Sequence, residues 1–318
     1  MAIMDRLDPE IAPIVASFPV LDLSDIPKAR AEYNAAMGAL EIPANPEVAS
    51  RDIIAPERGG HPSVRLREFR PKVAAITPLP AILWAQGGGY VMPSANLDDG
   101  WCQELALTHQ CAVFSVDWRR SPEHPFPAAS EDCYTGLSYI IQNAEQLDID
   151  VNRVVIAGHS SGGGSAASLA LLVRDRAEFN LSHQLLIYPM IDDRNDTPSA
   201  KLVTDPPVWN NKRNEYAWKA YLGDSYGTDE VSPYAAPSRM VDLSGSIPTS
   251  ILTGELDLFR DENITYAMRL MAAEVPTELY VYPGAPHGFD RLAPEWSVSR
   301  QFFSDRDAIL RRVFGTSG

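Results

Sequence analysis

Val154-Val155-Ile156-Ala157-Gly158-His159-Ser160-Ser161-Gly162-Gly163-Gly164-Ser165-Ala166-Ala167 is the stretch on which the fold of this chain turns. An apolar run leads into a Gly-x-Ser-x-Gly turn and small residues lead out of it, which is the order strand, sharp turn, helix. A serine forced into so tight a turn needs small neighbours, and the glycines two before and two after it leave that room. The turn also delivers the hydroxyl to a helix N-terminus, where developing negative charge is favoured. Ser160 is therefore the candidate nucleophile. The segment from Val154 to Val173 is nearly free of charge and reaches the roughly 20 residues a membrane span needs. Its glycines and serines suit a strand, a turn and a buried helix instead, so no stable membrane insertion is expected.

Outward from this stretch, short β-rich runs alternate with helix-length segments, the pattern of a mostly parallel sheet with helices on both faces. Strands are expected at Val64 to Arg70, Ala81 to Trp84, Ala112 to Val116, Val154 to Ala157, Gln184 to Tyr188, Thr249 to Thr253 and Glu278 to Tyr282. Helices are expected from Asp99 to Thr108, Ala128 to Glu145, Ser165 to Arg176, Asp261 to Ala273 and Glu295 to Val313, as the crossovers that parallel strands require. Two segments break the alternation. One is residues 1–50, with a helical stretch from Ser24 to Leu40; the other is an insertion around 192–237 that holds Trp209, Tyr216, Trp218 and Tyr221. They are expected to form a helical cap over the strand ends of a catalytic domain spanning 51–318, since ligands of open α/β sheets bind outside the carboxyl ends of the strands. Tyr90, Trp209, Tyr216 and Trp218 are the candidate pocket residues, the alternative being that such aromatics only hold a peripheral helix down.

A serine hydroxyl is a weak nucleophile, so a base and an orienting acid should follow it, in the order serine, acid, histidine. Of the six histidines, His61, His109 and His124 precede Ser160 and His159 adjoins it. His183 lies at a strand edge, which leaves His287, in the glycine- and proline-rich loop Tyr282-Pro283-Gly284-Ala285-Pro286-His287-Gly288-Phe289. The exit loop of the preceding strand, Gly254-Glu255-Leu256-Asp257-Leu258-Phe259-Arg260-Asp261, offers Glu255, Asp257 and Asp261 as acids. Asp261 is explained as a helix cap and Glu255 as a tie within the loop, which favours Asp257. Donors for an oxyanion are expected in Gln86-Gly87-Gly88-Gly89-Tyr90, where consecutive glycines let backbone N–H groups approach a substrate; a structural turn would use the same glycines.

The chain carries 42 acidic against 27 basic residues in 318, a formal net charge of −15. Such a balance repels polyanions, so nucleic acid is not an expected partner. The start of the chain lacks the basic end and apolar run of an export signal, and three cysteines, Cys102, Cys111 and Cys133, form neither a disulfide framework nor a Cys-x-x-Cys pair. A reducing, cytoplasmic setting is expected, and the chemistry calls for neither metal nor organic cofactor.

From about Pro80 to the C-terminus, the ordered motifs resemble those of bacterial esterases of the hormone-sensitive lipase family, which have the α/β-hydrolase fold. Besides the elbow and the glycine loop, these are Asp117-Trp118-Arg119-Arg120-Ser121-Pro122-Glu123-His124-Pro125-Phe126-Pro127, Tyr188-Pro189, Val231-Ser232-Pro233, Asp257-Leu258-Phe259-Arg260-Asp261 and His287-Gly288-Phe289. The resemblance implies a catalytic triad of Ser160, Asp257 and His287, so that the acid is Asp257, with oxyanion donors on the backbone of Gly87, Gly88 and Ser161. It further implies hydrolysis of carboxylic esters, an N-terminal cap, and a homodimer through the last strand and C-terminal helix; a capped pocket with the aromatics named above points to short to medium acyl chains. Amidase, lactonase or carbamate hydrolase chemistry could use the same triad. Plant gibberellin receptors resemble the family too, but lack the histidine that is present here as His287. Two departures stand out. Gln86 replaces the family's usual histidine, and its amide is expected to hydrogen-bond the loop. His159 replaces the usual acidic residue or threonine, and either titrates near neutral pH or packs beside the elbow.

Overall fold

The computed structural model describes residues 3–18, 22–37, 42–92, 98–204 and 208–316. Two helices, α1 (Ala12–Ser17) and α2 (Ile26–Met37), lead in. The sheet comprises β1 (Val48–Ala55), β2 (Val64–Pro71), β3 (Leu79–Ala85), β4 (Ala112–Asp117), β5 (Ile149–His159), β6 (His183–Ile187), β7 (Thr249–Gly254) and β8 (Thr277–Tyr282), in the order β1-β2-β4-β3-β5-β6-β7-β8. β1 and β2 are antiparallel, as are β2 and β4; every other neighbouring pair is parallel. This is the mostly parallel sheet of an α/β-hydrolase.

Every strand expected from the sequence is in the sheet. β1 is an addition: it takes the last residues of the 1–50 segment into the sheet, and its middle is exposed, with only Val48 and Ala55 buried. An outer strand that buries so little carries no clear alternation. The crossovers are α3 (Asp99–His109), α4 (Ala128–Gln142) with the short α5 (Ala144–Leu147), and α6 (Ser161–Arg176). Between β6 and β7 lie α7 (Pro198–Leu202) and α8 (Asn211–Leu222), and α9 (Arg260–Ala272), α10 (Phe289–Leu292) and α11 (Ser297–Phe314) complete the chain. α6 begins four residues before the expected Ser165, because the glycines after Ser160 are helical rather than a loop.

β3 is buried along its whole length and pairs with β5, so the middle of the sheet is an apolar slab covered on both faces. The charge-poor segment from Val154 to Val173 is the end of β5, its turn and most of α6; among the described residues no helix is long and apolar enough to cross a membrane. Because the central strands run parallel, their exit loops gather at one edge. Gly87 follows β3, Ser160 follows β5, Tyr188 follows β6, Asp257 follows β7 and His287 follows β8.

Candidate active site

Ser160 sits at φ 56° and ψ −126°, a strained backbone that its surroundings must hold. Its N–H donates to the Ile187 carbonyl at 2.9 Å, and its own carbonyl accepts from the amides of Gly164 and Met190, both at 3.0 Å. A Cβ at Gly158 would lie 2.5 Å from the Ala85 carbonyl oxygen, and one at Gly162 would lie 2.0 Å from that same oxygen. The elbow is thus wedged against the end of β3, and the two glycines are what the wedge requires.

His287 Nε2 lies 3.1 Å from Ser160 Oγ, and His287 Nδ1 lies 2.7 Å from Asp257 Oδ2. Asp257 is fully buried, and its other oxygen accepts the Phe259 amide at 2.9 Å. The histidine ring is held edge-on between Tyr188, at 4.7 Å between centroids, and Phe259, at 5.2 Å. The Tyr188 hydroxyl in turn donates to Asp290 at 2.8 Å. The two other acids of the exit loop are engaged elsewhere. Glu255 pairs with Arg6 and accepts the Gly284 amide. Asp261 differs from the expected cap of its own helix, whose N-cap is Phe259; its carboxylate instead accepts the Ser199 amide in the first turn of α7, at 2.7 Å.

Gly88 and Gly89 adopt φ +120° and +60°, so the glycine loop follows a path that side chains would obstruct. A Cβ at Gly87 would meet the His159 ring at 2.6 Å, and one at Gly89 would meet the Trp209 ring at 2.3 Å. The loop is closed by the Met92 amide on the Gly88 carbonyl at 2.8 Å, and Arg30 of α2 clamps it by donating to the Val91 carbonyl. The expectation for Gln86 is corrected here. Its side chain is buried, and among the described residues neither amide atom has a hydrogen-bond partner, so backbone bonds and Arg30 hold the loop. Of the two outcomes expected for His159, packing beside the elbow is the one observed, with the ring against Trp84 and Gly87. Burial, outweighing the nearby Asp98, lowers its pKa to about 4, so it is neutral through the neutral range instead of titrating there.

A cavity of about 490 Å³ opens onto Ser160 and His287. Phe18, Leu23 and Tyr33 line it from the N-terminal segment, and Val208 and Trp209 from the insertion between β6 and β7. Of the four candidate pocket residues, Trp209 lines this cavity, and Tyr90, Tyr216 and Trp218 do not. Tyr90 is stacked on Tyr221 at 3.8 Å with Trp218 beside it at 5.7 Å, an aromatic cluster that fastens α8 to the core. Tyr216 packs against the core from a partly buried position. Sequence reasoning missed Trp101, Phe303 and Arg291 in the cavity wall. Arg291 lies four positions past His287, a proximity that could have flagged it; Trp101 and Phe303 meet only through the packing of α3 on α11. Among the described residues, no group of three or more His, Cys, Asp or Glu side chains is arranged to hold a metal ion.

The site thus places a serine on a strand-to-helix elbow within reach of a histidine and a buried aspartate. The family model described as an alpha/beta hydrolase fold matches residues 82–291, and the chain belongs to that family. Esterase LipI of Mycobacterium tuberculosis is 33% identical over 210 residues, 66% of this chain and 65% of that protein. The ethyl acetate hydrolase of Pseudomonas putida is 31% identical over 213 residues, 67% of this chain and 66% of that one. In both, the matched stretch is just under two thirds of the relative's length. A solved bacterial heroin esterase superposes with a TM-score of 0.94 at 40% identity, covering 98% of this chain and 99% of its own. The likeness to that solved esterase thus extends over nearly the whole chain.

Proposed function

We propose that this protein is a serine carboxylesterase that hydrolyses short- to medium-chain acyl esters through an acyl-enzyme. The observation that carries the reading is the unbroken relay from Ser160 Oγ to His287 Nε2 and from His287 Nδ1 to Asp257, at 3.1 and 2.7 Å. Ser160 attacks the ester carbonyl as His287 takes its proton; Asp257 holds the imidazole tautomer and stabilises the imidazolium. The amides of Gly87, Gly88 and Ser161 stabilise the oxyanion, and His287 protonates the leaving alcohol. Water activated by the same histidine then frees the acid. The similarity to esterases that include an ethyl acetate hydrolase supports ester hydrolysis, and a cavity of about 490 Å³ walled by aromatics supports modest acyl groups. The N-terminal segment and the 192–237 insertion act as the cap, since both contribute to the cavity wall. We further propose a homodimer through β8 and α11. A reducing, cytoplasmic setting suits the three cysteines, all free and buried.

The test is hydrolysis of nitrophenyl esters from acetate to long acyl chains by the wild type and by Ser160→Ala. The expected result is a rate maximum at short or medium chains, a burst of nitrophenol release, and a loss of roughly 10⁴-fold or more in Ser160→Ala. Full activity in that variant would overturn the scheme.

A further inference from the structure

We propose that His159 and Asp98 form a hydroxyl-recognition subsite beside the glycine loop, and that the preferred esters carry an O–H donor within a few bonds of the scissile carbonyl. The inference rests on the esterase reading and names the substrate class of the same pocket. His159 is the last residue of β5, and its ring forms part of the cavity wall next to Ser160. The ring is fixed on several sides. Trp84 lies at 5.7 Å and Tyr188 at 6.3 Å between centroids, and Gly87 packs against the Nε2 edge, where a Cβ would come within 2.6 Å. Asp98 faces the other nitrogen, with Oδ2 at 3.6 Å from Nδ1. That carboxylate is itself held, by the Trp84 indole N–H at 2.8 Å and by Arg291 at 2.7 Å. Its burial favours the neutral acid, but Arg291 and the other neighbours outweigh burial and keep its pKa below the ordinary value, so it is anionic.

A fixed carboxylate on the Nδ1 side favours the tautomer with the proton on Nδ1. The Nε2 lone pair is then left as an acceptor on the side of the glycine loop. Met92, Trp101, Val208, Trp209 and Phe303 make much of the remaining wall apolar or aromatic. Beside such a wall a substrate O–H gives this acceptor a hydrogen bond that a methyl group of the same size cannot, so the O–H is favoured. Because His159 stays neutral down to about pH 4, it serves as an acceptor across the neutral range. The same reasoning accounts for a histidine where the resemblance leads one to expect an acid or threonine.

The test compares isosteric ester pairs in the wild type, His159→Leu and His159→Gln. On the acyl side the pair is nitrophenyl β-hydroxybutyrate and nitrophenyl isovalerate; on the alcohol side it is glycol monoacetate and propyl acetate. The readout is the ratio of kcat/KM within each pair, which cancels any general loss of activity. On one of the two arms, the wild-type ratio should exceed that of His159→Leu by about fivefold or more, and the responding arm identifies the side of the ester that carries the donor. His159→Gln, whose amide oxygen can accept, should retain part of the preference. Ratios within about twofold of each other in wild type and His159→Leu on both arms would overturn the proposal. Should His159→Leu fail to fold, the proposal stands or falls on whether His159→Gln shifts the wild-type ratio. Turnover of the isosteres by the wild type, absent in Ser160→Ala, keeps the esterase reading intact in either case.

Discussion

At the residue scale, the site depends on side chains that are absent as much as on those present. Ser160 can occupy its strained turn because Gly158 and Gly162 leave room for the Ala85 carbonyl. Gly162→Ala puts a methyl 2.0 Å from the Ala85 oxygen and 2.5 Å from the Gln86 oxygen, both backbone atoms that no rotamer change can clear. The expected cost is on the order of 3 kcal/mol, read from urea unfolding, with loss of activity as the glycine loop is displaced. A variant within about 0.5 kcal/mol of wild type would show that α6 can retreat from β3. Ser160 and His287 of the proposed triad are legible in the sequence because a nucleophile elbow and a His-Gly loop are local patterns. Spacing alone does not single out the proposed acid, because Glu255, Asp257 and Asp261 lie within one short loop. The contacts that part them, Glu255 to Arg6, Asp257 to His287 and Asp261 to Ser199, span sequence distances no local pattern records.

At the element scale, the sheet has two unlike edges. β1 closes one side, carrying the charged pair Arg51 and Asp52 along an exposed middle, the kind of residues that discourage a further strand from adding on. β8 closes the other, half-buried along most of its length, with Val281 at 40% exposure. The proposed dimer would bury that edge. Sedimentation equilibrium across a concentration series is expected to give a dimer for the wild type and a shift to monomer for Val281→Lys, because a charge on an edge strand opposes pairing. A wild type that stays monomeric throughout would refute the dimer. Most expected strands and crossover helices agree with the structure to within a few residues, but β5 starts five residues before Val154 and α8 is expected only as part of a helical cap. β1 and the short α1 were not foreseen, since an exposed edge strand and a six-residue helix carry little periodicity.

At the scale of the whole molecule, acid should loosen the fold through its buried histidines. Burial lowers both His159 and His183 from 6.5 to about 4. Their neutral forms fit the folded state, whereas the unfolded chain takes up protons near the ordinary value. The stability they contribute is thus complete above about pH 6.5 and is lost as pH falls towards 4. Urea midpoints measured through this window should decline with pH, and His183→Gln, which can keep the Ser250 contact seen at 2.9 Å, should flatten the decline by one proton's worth. An unaltered slope in that variant would place the proton uptake elsewhere. What the sequence determined by itself was whatever short-range pattern encodes: the alternation of strands and helices, the elbow, the glycine loop and the histidine loop. Only the tertiary structure decided which residues wall the cavity, leaving Tyr90 and Trp218 in a buried aromatic cluster while Trp101 and Phe303 converge from α3 and α11. It likewise left the Gln86 side chain without a hydrogen-bond partner among the described residues and set His159 against Asp98. The physical reason is that burial and convergence arise from contacts between distant segments. An aromatic side chain is equally at home in a core or a pocket until the packing of those segments assigns its place.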